Sequence, residues 1–87
     1  MKLPLGRVVA TKGAITEIGY SEILSALDRH SRCDWGVVCD EDKYTNDYAA
    51  RNDERVLSAY LSSEGTKFWI ITEWNRSVTT VLLPEEY

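Results

Sequence analysis

The last third of the chain alternates, and nothing else in the sequence constrains the fold as tightly. From Lys67 to Trp74, the side chains of Phe68, Ile70, Thr72 and Trp74 leave one face, and Trp69 and Ile71 leave the other. A period of two is that of a β-strand. Arg55 to Leu61 repeats it, with Leu57, Ala59 and Leu61 on one face. Ser77 to Leu83 repeats it again, with Val78, Thr80 and Leu82 set against Thr79, Val81 and Leu83. Ser62-Ser63-Glu64-Gly65 has turn chemistry, Trp74-Asn75-Arg76 is a tight reversal, and Pro84 stops the last strand. Three strands joined in this way predict an antiparallel meander. Large apolar groups on both faces of the middle strand imply that part of the second face is covered too.

Upstream, the period changes to that of helices. Leu5 to Thr11 reads as a short first strand, and Thr11-Lys12-Gly13 changes direction. Ala14 to Ile18 reads as one or two helical turns, with Ile15 and Ile18 on one side and Gly19 as the stop. Ser21 is the expected N-cap of a second helix, with Glu22 in its first turn and Ile23, Leu24 and Leu27 as its apolar stripe. Arg29, His30 and Arg32 fall at its end, where cations are favoured. After the break at Cys33-Asp34-Trp35-Gly36, Asp40 is the expected cap of a third helix over residues 41–52. Tyr44 and Tyr48 align on it at i, i+4. Helices grouped ahead of consecutive hairpins define the α+β class, with helices packed on the sheet. The 87 residues make one domain, 1–87, without repeats or linker.

Charge narrows the partners. The chain carries 14 acidic and 10 basic side chains, a net of −4. Residues 34–54 hold seven acidic and two basic groups, a net of −5, while residues 1–33 have a net of +2. Nucleic-acid binders depend on a basic face for phosphate contacts, so no direct nucleic-acid binding is expected. Asp40, Glu41, Asp42 and Asp47 suit a basic protein partner. No apolar run reaches the roughly 18 residues of a membrane span. The start of the chain lacks a secretory apolar core, and with two cysteines a reduced cytoplasmic setting is expected.

Catalytic and metal signatures are thin. His30, Cys33 and Cys39 are the soft metal-ligand candidates. Three such groups at this spacing match no standard zinc site, and no metal or cofactor is expected. His30 is the sole histidine, so general-base chemistry near neutral pH would depend on it; otherwise it is a helix-end cation. No G-x-S-x-G elbow, P-loop or G-x-G-x-x-G is present. Trp35, in a loop between helices, either plugs the core or marks an interface. Trp74, beside a turn, is the better candidate for exposed aromatic surface, and tryptophan is enriched in binding hot spots. Trp35 and Trp74 therefore join the four acidic residues as the candidate contact set.

Trp69-Ile70-Ile71-Thr72-Glu73, Arg76-Ser77, Thr79-Thr80, Leu82-Leu83-Pro84 and Glu86-Tyr87 form a recognisable pattern. So do Gly6 to Thr11 with Gly13-Ala14, and Asp34-Trp35-Gly36 before Asp42-Lys43. Together they resemble a family of small uncharacterised bacterial proteins carried on plasmids and other mobile elements. The resemblance spans nearly the whole chain and brings no catalytic residues with it. Together with the small size, the acidity and the lack of a catalytic constellation, it points to a non-enzymatic protein-binding module, of which an anti-restriction or anti-CRISPR inhibitor is one concrete form. The alternatives are a metal-independent ribonuclease toxin and a structural homodimer. The toxin reading is a comparison of layout with barnase and RelE-like toxins, and would use His30 with Arg7, Arg32 or Arg76 and Glu73. Open sheet edges make some self-association expected in every case.

Overall fold

The computed structural model describes residues 2–87 and gathers four strands into one mixed sheet. In chain order the elements are β1 (Arg7–Ala10), α1 (Lys12–Glu17), α2 (Tyr20–Ser31), α3 (Asp40–Arg51), β2 (Val56–Leu61), β3 (Lys67–Thr72) and β4 (Val78–Leu82), then a 3₁₀ turn, Pro84–Glu86. The α+β class holds, and β2, β3 and β4 form the expected meander. The sheet, however, has four strands and not three, because β1 joins it, and it is mixed and not purely antiparallel. The spatial order is β1-β4-β3-β2, and β1 lies parallel to β4. Close approach at Gly6 permits this. Its φ is 64°, and a Cβ there would stand 2.3 Å from the Arg76 carbonyl oxygen. The next residue, Arg7, donates its N–H to the Ser77 carbonyl.

Helices α1 and α2 cover one face of the sheet. Ala14, Ile18, Ile23, Ala26 and Leu27 pack there with Tyr60, Phe68, Ile70, Val81 and Leu83. Several local details differ from the sequence reading, among them the cap of α3, which is Cys39 and not Asp40. Helix α1 starts at Lys12 because the Thr11 hydroxyl accepts from the Ala14 N–H. Helix α2 starts at Tyr20, with Gly19 at φ 89° in the N-cap position, so Ser21 is no cap. The apolar stripe also shifts. Leu24 is 64% exposed, and the buried residues of α2 are Ile23, Ala26, Leu27 and His30. That spacing of i, i+3, i+4, i+7 is the core-facing stripe of a helix; one of its four members is a histidine.

The opposite face carries Ile71 and Leu82, both buried, with Leu57 and Trp69 half-buried. The C-terminal tail provides part of their cover, as the two-sided apolar pattern of β3 requires. The Tyr87 ring meets Trp69 edge-on at 5.7 Å, and Arg55 donates to the Tyr87 hydroxyl at 2.7 Å. Glu86 anchors the tail by accepting from the Thr11 hydroxyl and the Leu83 N–H. Those bonds hold its carboxyl below its ordinary range.

Helix α3 is tied to the sheet by both apolar and polar contacts. Its buried residues are Asn46, Ala49 and Ala50. Ala49 and Ala50 join Leu3, Trp35 and Val56 in a second apolar cluster. The side chain of Asn46 pairs with edge strand β2 in both directions, donating to the Leu57 carbonyl and accepting from its N–H. The next outward-facing residue of β2, Ala59, bonds to Trp35 and Val37 of the preceding loop. That edge is therefore blunted, and β1 is left as the more open one.

The other end of α3 is capped by Arg76. This residue sits in the left-handed region at φ 59°. Its guanidinium donates to the carbonyls of Ala49, Glu54 and Glu73 at 2.9, 2.7 and 3.1 Å. A cation there also complements the negative end of the helix dipole. Arg76→Ala is expected to lower stability by about 2 kcal/mol. Arg76→Lys should recover only part of this, since an ammonium cannot bridge separated carbonyls as a planar fork does. Urea midpoints of the two variants check it; an unchanged midpoint for Arg76→Ala would remove the cap from the account.

Candidate functional site

The candidate contact residues do not form one patch. At about 100° per residue, α3 has two opposed sides. Asp42, Thr45, Asn46 and Ala49 lie on the side nearer the sheet. Asp40, Glu41, Tyr44, Asp47, Tyr48 and Arg51 lie on the outward side. The exposures agree: Tyr44 is 78% and Tyr48 55% exposed, while Asn46 and Ala49 are buried. Three acidic residues of the set thus accompany two solvent-facing tyrosines, and Asp42 is turned away from them. Tyr44, Asp47, Tyr48, Arg51 and Asn52 line a shallow concavity of about 130 Å³ on this face.

Trp35 leaves the contact set. It is 3% exposed, packed with Leu3, Ala49 and Val56, with its indole N–H donating to Asp47 Oδ1 at 2.9 Å. It plugs the core, and its bond makes Asp47 partly a structural residue. The preceding residue, Asp34, forms a two-pronged bond with Arg29, which holds its carboxyl below the ordinary range. Trp74 is 62% exposed on the β3–β4 turn. That turn meets the C-terminal end of α3 through Arg76, whereas Asp40 and Glu41 begin the helix. A helix of 12 residues is about 18 Å long, so Trp74 and the first-turn acids lie towards opposite ends of α3.

His30 is neither a ligand nor an exposed cation. It is fully buried, as are Ser58, Thr72 and Thr79, and the four side chains are linked in series. Nδ1 bonds to the Ser58 hydroxyl, and Nε2 lies 2.8 Å from Thr72 Oγ1. Thr72 and Thr79 hydroxyls are 2.7 Å apart, and Thr79 donates to the Leu5 carbonyl at 2.7 Å. The final acceptor sets the direction of the whole chain. A carbonyl can only accept, so the proton of Thr79 is committed to Leu5 and Thr72 must donate to Thr79. His30 must then carry its proton on Nε2, and Ser58 donates to bare Nδ1. The imidazole is neutral. Burial, with the positive charge of Arg76, lowers its pKa to about 4. Each polar atom in the series has a partner, as buried polar groups require.

This arrangement engages two of the residues that a ribonuclease reading would use. His30 has no access to solvent, and Arg76 is engaged with carbonyls. Among the described residues, no group of three or more His, Cys, Asp or Glu is placed to hold a metal. Burial pushes the Cys33 thiol up, and Cys39 is exposed just before α3. No helix among the described residues is long and apolar enough to cross a membrane. The chain matches no family model, no curated protein and no solved structure.

The sequence reading missed three polar residues with structural duties: His30, Asn46 and Arg76. A signal existed for two. His30 completes the spacing of Ile23, Ala26 and Leu27, and Asn46 completes that of Ala49 and Ala50. Arg76 gives no such signal, because its partners are carbonyls distant in sequence.

Proposed function

We propose that the protein is an acidic protein-binding module of mobile-element origin that occupies a basic surface on a host or element-encoded protein. Inhibition of a defence nuclease or another nucleic-acid-binding protein is the concrete form we favour, in the bacterial cytoplasm. The observation that carries this reading is the outward side of α3. The helix buries two alanines and an asparagine, and leaves Tyr44 and Tyr48 in solvent beside Asp40, Glu41 and Asp47. Packing of the fold does not require those tyrosines. Exposed aromatics beside carboxylates suit cationic side chains, which pair with the acids and stack on the rings. The mobile-element origin rests on the resemblance carried by Trp69 to Tyr87.

The test is recovery of partners from a bacterial host with and without nuclease treatment, followed by measured affinity. A stoichiometric protein that survives nuclease is expected. Asp40→Lys with Glu41→Lys should weaken it about tenfold or more and flatten its salt dependence. Tyr44→Ala with Tyr48→Ala should weaken it at least as much. Unchanged affinity in both variants would overturn the assignment to this face. Bound RNA in place of protein would move the ribonuclease reading to first place.

A further inference from the structure

On the sheet side of α3 lies a second surface that the outward face does not include. Val37, Val38, Asp42, Leu57, Lys67 and Trp69 line a shallow trough of about 270 Å³. A neighbouring trough of about 330 Å³ shares Asp42 and Leu57 and reaches Arg55. The floor carries apolar side chains open to solvent: Val37 is 50% exposed, and Leu57 and Trp69 are half-buried. These apolar groups are too few to mark association by themselves. The charges on the rim point to an occupant. Asp42 stands on the helix side and Lys67 on the strand side of the same trough, both exposed.

We infer that this trough is the interface of a two-fold homodimer. A two-fold axis lying in the plane of the interface, perpendicular to the line from Asp42 to Lys67 and midway between them, exchanges the two positions. Asp42 of each copy then faces Lys67 of the other, twice per dimer. The apolar floors of Val37, Leu57 and Trp69 meet at the axis. An isologous interface requires a patch that is its own complement, and an apolar floor bracketed by one acid and one base has that property. A partner of uniformly basic or uniformly acidic surface would match only one rim. The inference does not depend on the proposed function, because Tyr44 and Tyr48 lie on the other side of α3 and stay accessible in the dimer.

Sedimentation velocity from low to high micromolar concentration tests it. The mass is expected to rise from that of the 9.9 kDa monomer towards twice that value, less readily at high salt. Lys67→Glu should weaken the dimer about tenfold or more, because it sets like charges opposite each other. Asp42→Lys should do the same. The double exchange, Asp42→Lys with Lys67→Asp, should restore affinity to within about threefold of the parent. All substituted positions are exposed, and an unchanged thermal midpoint verifies that each variant is folded. A monomer at every concentration would overturn the inference. So would a dimer indifferent to Lys67→Glu, which would place the contact elsewhere, the β1 edge foremost. Loss of dimerisation with partner binding intact would leave the proposed function standing. Loss of partner binding in the Tyr44 and Tyr48 variant, with the dimer intact, would do the reverse.

Discussion

His30→Ala is expected to lower the folding free energy by about 3–5 kcal/mol. Two effects add. The substitution empties the space of a fully buried imidazole, and it strips partners from Ser58 and Thr72, which are equally buried. For a domain whose total stability is on the order of 5–15 kcal/mol, that is a large share. His30→Gln tests the polar part separately, since its amide can still donate towards Thr72 and it does not titrate. It should cost less than the alanine. The pH dependence has a definite sign. An unfolded histidine takes up its proton near 6.5, whereas folded His30 stays neutral down to about 4. Between those values the unfolded chain binds a proton that the folded chain refuses. Stability should therefore be full above about pH 6.5 and fall as the pH drops, by about 3 kcal/mol once pH 4 is passed. Asp34, held low by Arg29, loses its contribution only below its ordinary value of 3.8, so the upper part of the window belongs to His30. Urea unfolding of parent and His30→Gln at pH 7 and pH 5 measures this. An equally steep decline in the variant would show that other groups carry it.

Gly36→Ala should be at least as damaging, at about 3–5 kcal/mol. Gly36 has φ 78°, which an alanine resists, and a Cβ there would lie 1.9 Å from the Ala59 carbonyl oxygen and 2.7 Å from the Tyr60 ring. Backbone and a core aromatic are the obstacles, so no flexible side chain can swing aside. Relief requires the loop to lift from β2. Lifting it breaks the bonds from Val37 to Ala59 and from Ala59 to Trp35, and draws Trp35 from its cluster. It also uncovers the Tyr60 hydroxyl, which donates to the Asp34 carbonyl and whose pKa burial raises to about 12. Gly65→Ala is the control. It shares a positive φ of 83° but meets nothing within 4 Å, so only the conformational cost of about 1 kcal/mol applies. Thermal melts of the two variants compare them directly. Equal losses would mean that the contact with Ala59 is relieved without consequence.

The meander was legible because each of its strands declares its own period. Phe68, Ile70 and Thr72 are buried on one face and Ile71 on the other, as the alternation of Lys67 to Trp74 requires. Helix α3 was legible in extent but not in orientation. Tyr44 and Tyr48 align, and an aligned aromatic pair is as good an apolar stripe as Ala49 with Ala50. Only the sheet decides which side turns inward. The contact set scattered for the same reason. Asp40, Glu41 and Asp42 are consecutive, but consecutive residues on a helix point about 100° apart, so Asp42 falls beside Leu57 and Lys67 while Asp40 falls near Tyr44.

Local rules therefore determined the strand alternation, the turns, the helical segments and the acidic middle of the chain, because each of these is a relation among neighbours. Tertiary structure decided whatever depends on residues far apart in sequence. It brought β1 beside β4, where Gly6 lets the backbones meet. It placed Arg76 on the carbonyls of α3, and it buried Trp35 by giving its indole N–H the carboxylate of Asp47. It made His30 a neutral core residue, because Ser58 and Thr72, 28 and 42 residues away, supply the hydroxyls that an imidazole needs to leave water.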